Sequence, residues 1–452
     1  MTRLQDRCDT ARETVHTVAE LLSDPGRVAR TSGRAFADVP SALMLPGWQP
    51  ASVLLGHAGI SMLHTRCARD DARWSPVAHA HLAAAVAAAP QTGPAAAGNL
   101  ILPALLRAAD TGGYARLLAR SAALHADFTE HRLARLRQRR NERPGLSYLD
   151  YDVIAGLAGQ GRALMLAADH GDEQCARVLT DVLGFLVALT HPLDVNGSEV
   201  PGWWCAPEGY VVPRDREAFP GGDFNVGAAH GICGPLALLS LAHLAGYRVP
   251  GTLDAVRRIT DWLREWARVD DRGVSWPGRV AFDEETSTAR PAGSAAQASA
   301  RPGWCYGTSG IAWTLYLAGQ VLADREASSL AVTAMKGILR RPLDELTGED
   351  PGFCHGLAGV LQAVVRLAVE TSDPELWQGA DRAADALVSA LRPDSAFGYR
   401  QVVRSGAELT RLDSPGVIDG AAGVALVLTS YADARRGRLL GKDAWDAVFL
   451  MS

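Results

Sequence analysis

Seven copies of one short pattern govern what this chain can fold into. GxxG or a close variant, followed by a strongly apolar stretch, occurs as GHAGISMLH at Gly56, GLAGQGRALML at Gly156, GICGPLALLSLA at Gly231, GTSGIAWTLYLAG at Gly307, GLAGVLQAVVRLA at Gly356 and GAAGVALVLTSYA at Gly420. AAAGNLILPALL, whose motif ends at Gly98, is a degenerate copy with Ala95 in place of the first glycine. The second glycines fall about 61 residues apart on average, which leaves room for two helices of ordinary length and their connections.

The two helices of a pair differ in pattern. Pro235 to Leu244 is apolar nearly all round, whereas Thr252 to Arg268 carries Leu253, Val256, Ile259, Leu263 and Trp266 on one face and charged residues elsewhere. The first pattern predicts a buried helix and the second a half-exposed one. Seven such pairs predict an all-α chain closed into an α/α toroid, seven inner helices wrapped by seven outer ones, as a single domain over residues 1–452. An open α-solenoid is the competing geometry. Glycines in the first turn are expected to let inner helices crowd at one pole, against a cost of up to about 1 kcal/mol each relative to Ala.

Two stretches break the helical rhythm. Asp194 to Gly227 is rich in Pro, Gly, Trp and Tyr and reads as an insertion with some strand, a lid or edge packed by its own aromatics in preference to one that touches substrate. Asp283 to Pro302, rich in Ser, Thr, Ala and Pro, reads as a mobile loop leading into the fifth repeat.

With 48% hydrophobic and 21% charged residues the chain can bury a core and is not broadly disordered. A formal charge of −5 and a pI of 6.2 provide no basic field, which argues against nucleic acid as the main partner. The basic run from His131 to Arg143 reads as the solvated face of an outer helix in preference to a guide for an acidic leader peptide. The Ala-rich region from His79 to Leu106 is broken by Pro90, Gly93 and Pro103, so no membrane span is expected, and the charged N-terminal stretch has no signal-peptide pattern. Seven cysteines without a CxxC pair read as reduced thiols, hence a cytoplasmic protein. No GxxG copy extends to a nucleotide-binding P-loop.

If the buried helices all start at one pole, the residues just before each first glycine gather there. They are Leu54 and Leu55, Ile154 and Ala155, Ala229 and His230, Cys305 and Tyr306, Cys354 and His355, and Ile418 and Asp419. Cys305, Cys354 and His355 would supply two thiolates and an imidazole, a set suited to Zn²⁺ with a fourth position open for water or substrate. The same three would also serve as buried small side chains. His230 is placed to be a fourth ligand, a general acid or base, or a capping histidine. Asp152 and Arg301, four and six residues before their glycines, would orient a group or stabilise an anion, or cap a helix or form an ion pair.

On YDVIAGLAGQG at Tyr151, AHGICG at Ala229, RPGWCYGTSG at Arg301, FCHGLAG at Phe353 and VIDGAAGVALVL at Val417, the chain resembles the lanthionine synthetase C-like proteins, the lanthipeptide cyclases, over its whole length. WCYG and CHG, in that order and each heading a GxxG helix, are the specific part. The resemblance implies an α/α toroid with one Zn²⁺ at its pole, held by Cys305, Cys354 and His355. It implies active-site positions at His230, Asp152, Arg301 and Tyr306. Departures are Ala95 and Asp419, the latter where Glu is expected in many relatives.

The implied reaction is Michael addition of a peptide cysteine to dehydroalanine or dehydrobutyrine, giving lanthionine or methyllanthionine. Its implied partners are a dehydrated precursor peptide and a separate dehydratase, since the repeats take up the 452 residues. The alternative is a related zinc-thiolate protein that binds peptides or transfers glutathione without ring formation. An α/α-barrel glycosidase is disfavoured because the pole lacks a carboxylate pair.

Overall fold

Each intact glycine pair marks the start of a helix. The computed structural model describes residues 2–37, 39, 45–287, 302–343, 346, 349–405, 408–438, 440–441 and 444–452. Its helices are α1 (Thr2–Leu21), α2 (Pro25–Ala37), α3 (His57–Ala68), α4 (Ser75–Thr92), α5 (Gly98–Thr111), α6 (Ala115–Glu142), α7 (Tyr148–Tyr151), α8 (Leu157–Ala168), α9 (Glu173–Leu189), α10 (Pro213–Ala218), α11 (Cys233–Leu244) and α12 (Thr252–Glu265). They continue as α13 (Phe282–Thr286), α14 (Thr308–Leu322), α15 (Arg325–Arg340), α16 (Leu357–Thr371), α17 (Pro374–Ser389) and α18 (Ala421–Arg435). Short antiparallel ribbons pair β1 (Leu193–Val195) with β2 (Ser198–Val200), β3 (Asp223–Asn225) with β6 (Arg279–Ala281), β4 (Arg268–Asp270) with β5 (Gly273–Ser275), and β7 (Arg400–Ser405) with β8 (Glu408–Asp413).

The chain divides into two compact units, one of Met1–Leu124 with Leu339–Trp445 and one of His125–Ile338 with Asp446–Ser452. In the first, α3, α16 and α18 are buried along most of their length; α18 packs on α16 and α3, and α1, α4 and α17 flank them. In the second, α11 packs on both α8 and α14, with α9 and α12 alongside. Within each unit, helices headed by glycine pairs are the buried ones and their partners are amphipathic, as the alternating pattern predicts. In α12 the buried face holds Ala255, Val256, Ile259, Trp262 and Leu263. Burying Ile259 or Leu263, both fully inaccessible, contributes roughly 1.5–3 kcal/mol each. Leu253, expected on that face, is 43% exposed: at about 100° per residue it lies some 120° round the helix from Ile259.

The glycines are demanded by close approach. Gly56, Gly156, Gly307, Gly356 and Gly420 are N-caps in extended backbone that any residue can adopt. A Cβ would nevertheless meet backbone at both glycines: 1.9 Å from the Gln49 carbonyl oxygen at the first glycine Gly56, and, on the second glycine, 2.1 Å from the Val53 carbonyl oxygen at Gly59, 1.9 Å from that of Val153 at Gly159, 2.0 Å from that of Trp304 at Gly310 and 1.8 Å from that of Val417 at Gly423. The first obstacle is thus the helix's own entry loop, and only then a neighbour, such as the Val417 side chain at Gly59. Gly159→Ala should therefore cost about 1–3 kcal/mol. Gly184→Ala, with open space at mid-α9, should stabilise by up to about 1 kcal/mol. Urea denaturation of both variants checks the pair, and an equal effect would contradict the steric account. The degenerate repeat, lacking its first glycine, enters α5 through a 3₁₀ turn over Pro94–Ala97.

Main-chain bonds tie successive entry loops together inside each unit. Val153 N–H donates to the Ala229 carbonyl at 3.0 Å, and Ala229 N–H to that of Cys305 at 3.1 Å. In the other unit Phe353 and Cys354 N–H both reach the Ile418 carbonyl, at 2.9 and 2.8 Å, while Val417 and Ile418 N–H both reach that of Leu54, at 2.7 and 3.1 Å. Every accepting carbonyl belongs to the residue two places before its first glycine. These bonds satisfy backbone groups that would otherwise be costly to bury.

The segment from Asp194 to Gly227 contains β2, β3 and α10, and its Trp203 is buried edge-on against Trp262, ring centroids 5.3 Å apart. Of Asp283 to Pro302, Asp283–Thr286 falls in α13 and Pro302 is buried, whereas 288–301, including Arg301, lies outside the described residues. The basic run is not simply a solvated face. Arg137 pairs with Asp181, Arg139 with Asp150, and Arg132 and Arg140 donate to backbone carbonyls. Among the described residues, no helix is long and apolar enough to cross a membrane.

Candidate active site

In the unit of His125–Ile338, the second intact repeat begins with α7. Ser147 caps this turn while Asp150 accepts the Ser147 N–H at 2.9 Å, and the turn ends at Asp152. Asp152 is wholly buried, and its carboxylate is fully used. Oδ1 accepts the N–H groups of Ala155 and Gly156 at 2.7 and 2.5 Å, and Oδ2 lies 2.6 Å from His230 Nδ1. An acceptor-only carboxylate assigns the proton to Nδ1 and leaves Nε2 available on a side chain that is 28% exposed.

The His230 ring meets that of Tyr148 edge-on at 5.4 Å and lies 6.1 Å from that of Tyr306. Tyr306 OH accepts from Asn225 Nδ2 at 3.1 Å, and burial holds its phenol above the usual range, so it remains a neutral hydrogen-bond donor. A Cβ at Gly227 would stand 2.5 Å from the Cys305 carbonyl and 2.8 Å from the Tyr306 ring, so only glycine leaves room for both.

In the unit containing Leu339–Trp445, Cys354 and His355 precede α16. His355 Nε2 is 3.0 Å from Asp350 Oδ2, and Nδ1 is 4.0 Å from Asp419 Oδ1. Asp350 is buried, its other oxygen accepting the Gly352 N–H at 2.9 Å. A carboxylate against one ring nitrogen is the usual way of orienting a metal-binding imidazole through the other.

The seven cysteines differ in their surroundings. Cys8, Cys67, Cys175, Cys205 and Cys233 are buried, and burial pushes the thiols of Cys67 and Cys175 up to about 12. Cys305 and Cys354 are the two that are partly exposed. Two thiols and one imidazole, the donors that Cys305, Cys354 and His355 carry, match zinc in donor chemistry.

Of the residues expected from the sequence, Asp152, His230, Cys305 and Tyr306 thus lie in one unit, with His230 paired to Asp152, and Cys354 and His355 lie in the other. Asn225 and Asp350 were not expected. Both stand six places before a first glycine, as do Arg301, Asp150 and Ser414, and that register is their sequence signal.

The fold is helical, with paired glycines at its helix starts, and it carries partly exposed thiols at Cys305 and Cys354 and imidazoles at His230 and His355 that lie against carboxylates. Residues 47–450 match the model of the lanthionine synthetase C-like proteins, and the chain belongs to that family. It is similar to the nisin biosynthesis protein NisC of Lactococcus lactis subsp. lactis, 29% identical over 216 residues. That match takes in 47% of this chain and 48% of the relative, about half the length of each. Among solved structures it is similar to nisin cyclase, with a TM-score of 0.70 and 19% identity over 94% of this chain and 97% of that one, a likeness of fold.

Proposed function

We propose that the protein is a zinc-dependent lanthipeptide cyclase, which adds peptide cysteine thiols to dehydroalanine or dehydrobutyrine in a ribosomally made precursor. The observation that carries this reading is His230 held on buried Asp152 in the same entry-loop register that presents Cys305 and Tyr306 one repeat on. Membership of the family and the fold likeness to nisin cyclase support it, and the chain is read as a single α/α toroid over residues 1–452 with 194–227 as an insertion within it.

Cys305, Cys354 and His355 would hold one Zn²⁺. When bound, zinc lowers the pKa of an incoming thiol and keeps it as the nucleophilic thiolate. The substrate sulfur then attacks the β-carbon, the double-bond electrons move to the carbonyl as an enolate, and one proton must reach the α-carbon. His230 Nε2 is the proposed proton carrier, with Asp152 fixing the ring from behind. Tyr306, a neutral donor oriented by Asn225, stabilises the enolate oxygen, and Arg301 is assigned to the same task. Asp350 fixes the His355 ring. The substrate is a dehydrated peptide supplied by a separate dehydratase, in the cytoplasm.

Ring closure leaves the peptide mass unchanged but consumes a thiol, so the assay is loss of alkylation on a synthetic peptide carrying dehydroalanine and cysteine. Purified protein is expected to contain about one zinc per chain, absent from Cys305→Ala and Cys354→Ala, and both variants should lose ring closure. Folded protein without zinc would overturn the mechanism.

A further inference from the structure

The basic run of α6 holds a residue that the chemistry above does not use. Arg132 is half-buried, and its guanidinium bridges two main-chain carbonyls on either side of Asp152: Nη1 donates to Ala155 and Nη2 to Leu149 at 2.6 Å. Ala155 is one of the two residues whose N–H groups fix Asp152 Oδ1, and Leu149 lies in α7, the turn that ends at Asp152. Arg139 on the same helix pairs with Asp150, the residue that closes the Ser147 cap. Asp150 Oδ1 also stands 4.0 Å from Arg132. Arg135, one turn along, is exposed.

From this geometry we propose that Arg132 is a positioning residue for the His230–Asp152 pair, clamping the loop 149–155 so that the Asp152 carboxylate keeps its place under His230 Nδ1. The assignment rests on the reading of that pair as the proton-transfer device, but the clamp itself is independent of it. A planar guanidinium suits the task because its fork reaches two acceptors at fixed spacing, which an ammonium cannot do. Arg132 touches neither substrate nor metal in this scheme and acts only through the loop.

The test follows the His230 Nδ1 proton, whose hydrogen bond to a buried carboxylate gives a low-field proton resonance that is assigned by its loss in His230→Gln. In Arg132→Met that resonance should broaden or disappear while thermal unfolding remains cooperative. Arg132→Lys, retaining the charge on a single donor nitrogen, should recover it in part, and Arg135→Met should leave it unchanged. With the synthetic dehydroalanine-cysteine peptide, kcat should fall on the order of ten- to a hundred-fold in Arg132→Met with little change in KM, as expected of a misplaced proton donor.

A wild-type protein without the low-field resonance, or an Arg132→Met protein that keeps it unchanged, overturns the proposal, even if activity falls. Loss of the resonance in Arg132→Met from a wild-type protein that closes no ring would uphold the clamp and remove the cyclase reading instead.

Discussion

Replacing His230 by Asn is expected to leave zinc content at the parental level and to slow ring closure by roughly 10² to 10⁴, the usual size of a lost general acid or base. The reason lies in the geometry: Nδ1 is committed to Asp152 Oδ2 at 2.6 Å, so Nε2 is the atom free to pass a proton, and Asn has no second nitrogen in that place. Asp152→Asn should show a comparable loss, because an amide that donates to Nδ1 selects the wrong tautomer. In that orientation its carbonyl oxygen still accepts the two backbone N–H groups at the Oδ1 position, so the loop is expected to hold. Zinc analysis beside the alkylation assay separates these variants from Cys305→Ala, which should lose both metal and turnover. Full activity in a zinc-replete His230→Asn protein would remove His230 from the mechanism.

The second large effect concerns acid stability and lies away from the site, in the unit containing α3 and α4. His57 Nδ1 is 3.0 Å from His81 Nδ1, His81 Nε2 is 2.7 Å from the Leu22 carbonyl, and His64 stacks on His81 with ring centroids 5.2 Å apart. All three rings are buried. The bond to Leu22 puts the His81 proton on Nε2, so His81 Nδ1 must accept from His57. A further proton on His81 would fall on Nδ1 and set two N–H groups against each other at that contact. Burial holds His57 near 4 and His81 near 3, against 6.5 for an exposed ring. Because the folded-state values are depressed, the stability is fully present above pH 6.5 and is lost as pH falls toward 4, where the unfolded chain binds protons that the fold refuses. At pH 5 each ring should cost about 2 kcal/mol relative to pH 7.5. Urea midpoints at the two pH values test this, with His57→Phe expected to reduce the dependence without abolishing it, since burial also depresses His64, His81 and His125. The depressed carboxyl of Asp70, below 3.8, titrates in a lower window and does not confuse the result. An unchanged midpoint at pH 5 would mean that these rings protonate without cost.

The helix starts were legible because a close approach leaves a glycine in the same place each time: Gly59, Gly159, Gly310 and Gly423 all face a carbonyl six residues back. Cys305, Tyr306, Cys354 and His355 were legible because they share one register before those glycines. Asn225 and Asp350 were harder to read, since the position six before the first glycine varies among the repeats, with Asp150, Asn225, Arg301, Asp350 and Ser414, and its backbone bond is indifferent to the side chain. Arg132 was read as a solvated charge because nothing local reveals that its partners are the carbonyls of residues 149 and 155. The histidine cluster depends on pairing between α3 and α4, which periodicity within one helix does not report. Leu253 failed because its place at the start of α12 was assigned to the apolar face by composition, not by angle.

The ties among the entry loops are made wholly of peptide groups: Cys354 and Phe353 N–H meet the Ile418 carbonyl as Val417 and Ile418 N–H meet that of Leu54. The scaffold therefore works as a rack of equivalent sockets whose attachment does not depend on what each one carries. Leu54 and Leu55 occupy one socket as securely as Cys354 and His355 occupy another. Reactive groups can be exchanged, dropped or added there at little cost to folding, so proteins of this architecture can diverge in chemistry, or abandon it, while their framework stays intact.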